Sequence, residues 1–410
     1  MDYYHAPAVS IAVVQGGRVI WAKAYGVRDG GNSVAVTSRT LFQAASISKP
    51  VAAYGLLKLV DQKRIDLDAD VNGALKSWRV PSNQFTDARK VTLRHLLTHT
   101  AGFMRQSAAT YWPGETLPSL VDVLQGIGTS NQRPLIVESP VGGQVHYSGA
   151  GYGVAQLLAQ DVSGKSFEEF MKAVVFGPLA MEDSTFEQVP PPNADVAIGH
   201  PKGHQIAVEL AAAGLWTTPT DLARFMIDVR SSAAGPGGPL GVELARAMLT
   251  SQIEDRGLGF QVYGSGKSAR FGHEGLNAGF DSKLISYTRT GQGAVVMVNS
   301  NLSYGLMTEV LDSLARTYDW PDYPFTRQRE CVPPTPELRA ALLGEHDLGD
   351  GFIVSVSEKD GALLLEVPEQ GFTPLFIAPS RREAFITGLG IPSFDILVGE
   401  HGKATLEFQE

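Results

Sequence analysis

The chain has 410 residues, 43% of them hydrophobic, and a formal net charge of −9 at pH 7. This length allows two or three domains with sizeable cores, and the composition is not that of a disordered protein. The acidic balance argues against nucleic-acid binding, because proteins that bind phosphate backbones present basic stripes. The single cysteine, Cys331, rules out an intramolecular disulfide.

No apolar run approaches the length of a membrane span, and the longest are the size of a strand. The first residues, MDYYHAPAVSIAVV, lack the basic head and apolar middle of a signal peptide. We therefore expect no membrane span and no signal peptide. The sequence leaves open a cytoplasmic location or export after loss of an upstream segment.

The predicted elements begin with a hairpin and a helix. The stretch VSIAVVQGGRVIWAKAYGV predicts two strands joined at Gly16-Gly17, because a glycine pair between apolar runs marks a tight turn. From Ser46 to about Gln62, apolar residues recur at spacings of three and four. This periodicity predicts the first long helix.

The middle of the chain is mainly helical. Residues 66–118 contain frequent proline and glycine, which indicates loops and short helices. Residues 150–176 predict two helical segments. A further helix is expected from Pro219 to Val229, with Thr218 as its cap and proline in its first turn.

Strand patterns then return as GLGFQVYG, ARFGHEG, FDSKLISYT and GAVVMVN, each bounded by glycine or turn residues. A helix from Leu306 to Tyr318 follows. We expect an α/β (α+β) fold in which both ends of this region form one antiparallel sheet. Helices cover the sheet, and the all-helical insertion lies to one side.

The segment ECVPPTPE marks a linker, which we place at 330–336 between a domain at 1–329 and a second at 337–410. From residue 344 onward, short strands alternate with turns at regular spacing. This pattern predicts a small closed antiparallel barrel or a sandwich.

Several common motifs are incomplete. His95 and His99 in HLLTH have the spacing of a zinc helix, but the glutamate of H-E-x-x-H is missing. The GKS at 266–268 lacks the glycine of a phosphate loop, because Gln261 stands there. No G-x-G-x-x-G follows a strand, and no serine lies in G-x-S-x-G. We expect neither a metal nor an organic cofactor.

Ser46 and Lys49 stand three residues apart where the first long helix begins. Side chains at this spacing share a helical face, and free backbone N–H groups at a helix start favour a developing oxyanion. A shielded lysine can take the serine proton. An N-cap serine with a solvated lysine explains the same spacing equally well.

The surrounding motifs carry a family resemblance. Ser46-Ile-Ser-Lys49 resembles the Ser-x-x-Lys motif of the penicillin-recognising serine hydrolases. The branch it is most similar to is that of the class C β-lactamase-like proteins, which includes D,D-peptidases, D-aminopeptidases and family VIII esterases. Further landmarks occur in family order, namely LRHLLTHTAGF (93–103), HYSGAGYGVAQLL (146–158), FGPLAMEDSTF (176–186), AAAGLWTTPTDLARF (211–225) and FGHEGLNAGF (271–280). The tail resembles a lipocalin-like barrel appended to some members.

The resemblance implies roles for the catalytic residues. Tyr147 would pair with Lys49 and help to move the proton between Ser46 and the leaving group. His273, in the third motif, would orient or polarise the substrate. A β-lactamase/transpeptidase-like fold for the first domain is implied by the same match.

The resemblance also implies which residues bind the substrate. Gly275 would keep its strand clear for the substrate. The backbone N–H groups of Ser46 and Leu276 would form the oxyanion hole. Trp216 would wall the pocket, with a plain packing role as the alternative.

The chain departs from the family pattern at two positions. Where the family has Tyr-x-Asn, this sequence has Tyr147-Ser148-Gly149, so the substrate-holding amide is gone, with Ser148 as a partial substitute. His273 replaces the lysine of the classical third motif, which removes a permanent positive charge. Both changes favour an esterase or a peptidase over a dedicated β-lactamase.

We therefore expect a serine hydrolase that forms an acyl-enzyme on Ser46 and cleaves small ester, amide or peptide substrates. The first alternative is a D-amino-acid-specific peptidase or D,D-peptidase, in a homo-oligomer whose tail barrel restricts access. The second is a catalytically silent protein that binds peptidoglycan fragments or β-lactams. Fold-level similarity does not name the substrate.

Overall fold

The structure is a computed structural model. It describes residues 1, 4, 6–31, 34–106, 108–188, 194–200, 203–301, 304–325, 330–348, 353–359, 361–367, 371–386, 394–398 and 404–408.

Ten strands form within the described residues up to 298. They are β1 (Ala8–Gln15), β2 (Arg18–Gly26), β3 (Phe42–Gln43), β4 (Thr110–Tyr111), β5 (Ile206–Ala207), β6 (Trp216–Thr217), β7 (Gln261–Tyr263), β8 (Arg270–Asn277), β9 (Phe280–Tyr287) and β10 (Gly293–Val298). Six of them make one antiparallel sheet in the order β2-β1-β10-β9-β8-β7. The predicted sheet from both ends of the region is confirmed.

The hairpin at the start of this sheet is also confirmed. Gly16 and Gly17 have φ angles of +57° and +75°. A two-residue turn of this kind needs positive φ at both positions, which glycine adopts without a steric penalty.

Helices occupy the chain between and after these strands. They are α1 (Ser48–Asp61), α2 (Gln84–Ala88), α3 (Leu93–Leu97), α4 (Leu120–Gln125), α5 (Gly149–Ser163), α6 (Phe167–Met171), α7 (Leu210–Ala213), α8 (Pro219–Ala234), α9 (Val242–Leu249) and α10 (Tyr304–Thr317). Thr218 caps α8 by accepting from the Asp221 N–H at 3.2 Å, as predicted. The helix runs to Ala234, five residues beyond the predicted end.

The central strands are buried on both faces. In β1, Ala8, Ala12 and Val14 belong to the large core that also contains α1, α5 and α8. The intervening residues Val9 and Ile11 join a second core that α10 covers. Alternation along the strand therefore supplies two hydrophobic layers, because successive side chains point to opposite faces.

The tail begins with α11 (Pro336–Leu342) and continues as seven strands. These are β11 (Gly344–Asp347), β12 (Ile353–Lys359), β13 (Ala362–Val367), β14 (Gly371–Ile377), β15 (Glu383–Ile386), β16 (Phe394–Val398) and β17 (Ala404–Phe408). They pair antiparallel in chain order, and β11 lies against β17, so the barrel is nearly closed. Its core receives Leu338 and Leu342 of α11.

The boundaries 1–329, 330–336 and 337–410 stay a prediction. Within the linker, Val332 pairs with Ile377 of β14. Among the described residues, none of the helices is both long and apolar enough to cross a membrane.

Candidate active site

Ser46 lies in a strained turn that immediately precedes α1. Ala45–Ile47 forms a 3₁₀ turn, and Ala45 has a φ of +48°, a region that residues with a Cβ rarely adopt. The neighbouring Ser48 hydroxyl donates to the Ala45 carbonyl at 2.6 Å and accepts from the Leu215 N–H at 2.9 Å. The turn is thereby fixed, and Ser46 remains half-buried among fully buried neighbours.

Lys49 projects from the first turn of α1 onto the Ser46 hydroxyl. Its Nζ donates to Ser46 Oγ at 2.9 Å and to the Ala212 carbonyl of α7 at 2.9 Å. The residue is only 2% exposed. A solvated lysine beside an N-cap serine is therefore wrong for this chain, since Lys49 is buried and Ser46 caps neither helical segment. In its neutral form the same amine could accept the serine proton.

Tyr147 meets Lys49 through the face of its ring. The Lys49 Nζ lies 4.7 Å from the centroid of the Tyr147 ring, within the range of a cation–π contact. In the part of the chain that the structure describes, no hydrogen bond joins the Tyr147 hydroxyl to Ser46 or Lys49. The ring of Tyr147 is half-buried beside the Lys49 amine.

His99 binds the backbone next to Tyr147, whereas His95 caps its own helix. The Nδ1 of His99 accepts from the Ser148 N–H at 3.1 Å. The Nδ1 of His95 accepts from the Thr92 N–H at 3.1 Å, as part of the capping box of α3. His99 lies beyond the end of α3 with a φ of +61°, so the two rings do not share a helical face. No cluster of three or more metal-binding side chains occurs among the described residues.

His273 is buried and neutral. Its Nδ1 lies 2.6 Å from the Glu274 carbonyl, which fixes the proton on Nδ1 and leaves Nε2 as an acceptor. Burial, and then the positive charges of Lys49 and Arg256, lower the pKa of His273 to about 3. Its ring centroid lies 6.3 Å from that of Tyr147. His273 therefore enters the site as a directed acceptor rather than as a cation.

Gly275 makes room for the nucleophile's turn. A Cβ on Gly275 would overlap the Ala44 carbonyl oxygen and lie 2.5 Å from Ser282 Oγ. The close neighbour is therefore the segment before Ser46, and the expected role of clearing the strand for a substrate stays a prediction. Leu276, the next residue of β8, is half-buried and faces Asp281 of β9 in register.

Ser148 and Gly149 belong to the start of α5. The Ser148 hydroxyl donates to the Arg105 carbonyl at 2.7 Å and accepts from the Gly151 N–H at 3.1 Å. Ser148 is 2% exposed, so the expectation that it replaces the missing asparagine is wrong. Gly149 is buried as well, and its N–H donates to the Gln106 carbonyl at 2.8 Å.

Trp216 is a core residue and does not wall a pocket. It has no exposed surface, and its ring packs edge-on against Phe280 at 5.6 Å and His204 at 5.1 Å between centroids. Its strand β6 pairs with β3, which leads into the turn of Ser46. Of the two alternatives for Trp216, the structure supports packing.

Arg256 brings a fixed positive charge that the sequence motifs did not reveal. Its guanidinium carbon lies 6.0 Å from the centroid of the Tyr147 ring. Among the described residues, its Nε is buried without a hydrogen-bond acceptor, although it lies 3.2 Å from a carboxylate oxygen of the half-exposed Asp255. The residue precedes β7 in a loop without any recognisable motif, so only the fold brings it to Tyr147.

A buried ion pair lies behind α7, next to the site. Arg105 and Glu209 are 7% and 0% exposed and lie 2.9 Å apart. Glu209 also accepts from the Ala109 N–H at 2.6 Å and directly precedes α7. The pair therefore joins the segment that holds Ser148 to the helix whose Ala212 carbonyl holds Lys49. Sequence spacing gave no sign of it.

Comparison with known proteins identifies a family model over most of the chain. Residues 1–316 match the family described as Beta-lactamase. Among curated relatives, Penicillin-binding protein 4 of Amycolatopsis lactamdurans is 23% identical over 338 residues, which are 76% of this chain and 85% of the relative. Protein flp of Staphylococcus aureus (strain N315) is 25% identical over 226 residues, which are 53% of this chain and 42% of the relative.

Solved structures share the fold along the whole chain. SurE in complex with D-Leu has a TM-score of 0.63 at 20% identity, covering 100% of this chain and 96% of that one. The octameric penicillin-binding protein homologue from Pyrococcus abyssi has a TM-score of 0.62 at 20% identity, with the same coverage. The expected fold, a sheet flanked by helices with a small barrel behind it, is confirmed.

Replacing Gly275 with alanine should slow the reaction of Ser46 with a fluorophosphonate by about tenfold to a hundredfold, because β8 must move away from the nucleophile's turn. Gly73→Ala is the matched control, since a Cβ there meets open space. Labelling rates measured by intact-protein mass spectrometry test this. Equal rates for Gly275→Ala and the parent chain would contradict the assignment.

Because His273 is neutral in the folded protein, the free energy of unfolding should decrease in acid. Because its folded pKa of about 3 lies below the ordinary value of 6.5, the unfolded chain binds a proton that the folded chain does not. The unfolding free energy should therefore fall as pH drops from about 6.5 to about 3. His273→Gln should reduce the slope between pH 6 and pH 4 by about 1.4 kcal/mol per pH unit. Urea titrations at several pH values measure the slope, and an unchanged slope would show that His273 titrates normally.

Proposed function

The chain belongs to the Beta-lactamase family, whose members are serine hydrolases, and from this we propose that it forms an acyl-enzyme on Ser46 and cleaves ester or amide bonds of small substrates. One observation carries the proposal. The Lys49 amine, 2% exposed, lies 2.9 Å from the Ser46 hydroxyl. A nucleophile within hydrogen-bond distance of a shielded base is the arrangement that covalent catalysis requires.

In the proposed reaction, Ser46 Oγ attacks the substrate carbonyl carbon while its proton passes to the Lys49 amine. The backbone N–H groups of Ser46 and Leu276 stabilise the resulting oxyanion. The carbonyl re-forms as the bond to the leaving group breaks, and Tyr147 gives that group a proton while it takes up the proton that Lys49 received from Ser46. Lys49 is then neutral again, and Tyr147 carries its own proton. Water then attacks the acyl-enzyme by the same route, which releases the acid and restores Ser46.

The surroundings of Ser46 favour esters over β-lactams. Ser148 is turned into the protein and Gly149 has no side chain, so no amide from the second motif can hold a substrate carbonyl. His273 is neutral and cannot supply the charge of the lysine it replaces. We propose esterase-like activity, with β-lactam turnover weak by comparison.

A D-amino-acid-specific peptidase is the second candidate. Arg256 places a fixed cation beside Tyr147, the residue proposed to protonate the leaving group, where a leaving group with a free carboxylate would lie. The structural neighbour SurE has been solved with D-Leu. Another neighbour is an octamer, so this candidate extends to a homo-oligomer.

A turnover panel tests the hydrolase. Short-chain nitrophenyl esters, a chromogenic cephalosporin and D-aminoacyl amides are compared for the parent chain and for Ser46→Ala, Lys49→Ala and Tyr147→Phe. We expect esters to turn over fastest and Ser46→Ala to be inactive. Lys49→Ala and Tyr147→Phe should each lose about 10²- to 10⁴-fold in kcat. Ester hydrolysis that survives in Ser46→Ala would exclude the proposed nucleophile.

Substitution of Arg256 distinguishes the esterase from the D-amino-acid-specific peptidase. If the leaving group carries a carboxylate, Arg256→Gln should raise KM for a D-aminoacyl-D-amino acid by about 10- to 100-fold, while KM for the matching uncharged amide stays within about twofold. Arg246→Gln serves as control, because Arg246 pairs with the exposed Glu243 and with the Ala233 carbonyl, away from Tyr147. Equal effects on both substrates would remove the charged leaving group from the proposal.

A further inference from the structure

We propose that His99 is a positioning residue that fixes the orientation of Tyr147, an inference that rests on the proposed role of Tyr147 in acyl transfer. Tyr147 needs such a support. Its hydroxyl has no hydrogen bond to Ser46 or Lys49 among the described residues, and its backbone lies in a loop just before α5. The direction of the ring must therefore be set by packing and by the neighbouring backbone.

His99 holds the backbone on both sides of Tyr147. The His146 N–H donates to the His99 carbonyl at 2.8 Å, and the Ser148 N–H donates to the His99 Nδ1 at 3.1 Å. His99 thus binds the backbone N–H groups of both residues next to the tyrosine. This double attachment leaves the Tyr147 backbone little freedom to rotate.

The ring of His99 also supports the ring of Tyr147. Their centroids lie 4.4 Å apart with planes inclined at 37°, and the centroid of the His99 ring lies 5.3 Å from that of Tyr152. Tyr152 is itself fixed, because its hydroxyl donates to the Leu97 carbonyl at 3.1 Å. Tyr147 therefore rests on a stack whose base belongs to α5 and the end of α3.

The charge state of His99 preserves this arrangement. Accepting an N–H at Nδ1 requires a neutral imidazole with its proton on Nε2. Burial, followed by the positive charges of Lys49 and Arg256, lowers the pKa of His99 well below its ordinary value. The acceptor is thus available throughout the neutral pH range.

The backbone of His99 indicates which variants are informative. Its φ of +61° disfavours most residues with a Cβ but is tolerated by asparagine, whose side-chain oxygen can also accept the Ser148 N–H. His99→Asn thus keeps the acceptor and removes the ring. His99→Phe keeps a ring against Tyr147 and removes the acceptor.

A double-mutant cycle on ester hydrolysis tests the inference. We expect His99→Phe to lower kcat by about 10- to 100-fold with little change in KM, and His99→Asn to stay within about tenfold of the parent chain. In the Tyr147→Phe background, His99→Phe should change the remaining kcat by less than about threefold, because the residue it positions is already disabled. Thermal unfolding of each variant shows that the chain is folded.

His95→Asn is the matched control. This histidine is equally buried, and its Nδ1 also accepts a backbone N–H, but it holds Thr92 rather than the Tyr147 segment. Its kcat should stay within about twofold of the parent chain.

Two results would overturn the inference. In the first, the loss of kcat in the double variant equals the product of the two single losses from His99→Phe and Tyr147→Phe. His99 would then not act through Tyr147, while the proposed hydrolase would stand. Full activity of Tyr147→Phe would instead remove Tyr147 from the proposed mechanism, and the positioning role with it.

Discussion

The burial of the Lys49 amine is the constraint on which the rest of the site depends. An ammonium removed from water is unfavourable by several kcal/mol unless its donors find acceptors. Here the acceptors are the nucleophile's own hydroxyl and the Ala212 carbonyl, each at 2.9 Å. The turn of Ser46, the closeness of β8 at Gly275 and the Arg105–Glu209 pair behind α7 all keep these two acceptors in place.

The same cation determines how the neighbouring histidines behave. Together with burial and Arg256, it lowers the pKa of both His99 and His273. Each imidazole is then neutral and directional, with one nitrogen bound to the backbone. Arg256 therefore brings a fixed positive charge close to these neutral rings, from a loop before β7 rather than from the third motif.

Local patterns predicted the elements, and long-range packing decided the roles of several side chains. The Gly16-Gly17 turn and the Thr218 cap depend on adjacent residues, so sequence alone was sufficient. The motifs leave the roles of Trp216 and Ser148 open, because motif position does not say which way a side chain points. Arg256 reaches Tyr147 from more than 100 residues away, and no spacing rule connects them. Sequence alone singles out Ser46, Lys49 and Tyr147 as candidates because they lie in motifs whose order along the chain is specific, and the fold brings Lys49 to both of the others.

Trapping the covalent intermediate tests the central claim most directly. A nitrophenyl ester is mixed with the protein, quenched in acid within the first turnover and mapped by peptide mass spectrometry. The account predicts one acyl group on the peptide that carries Ser46, formed at least about a hundredfold more slowly in Lys49→Ala. Acyl transfer to another residue, or equal rates with and without the Lys49 amine, would contradict it.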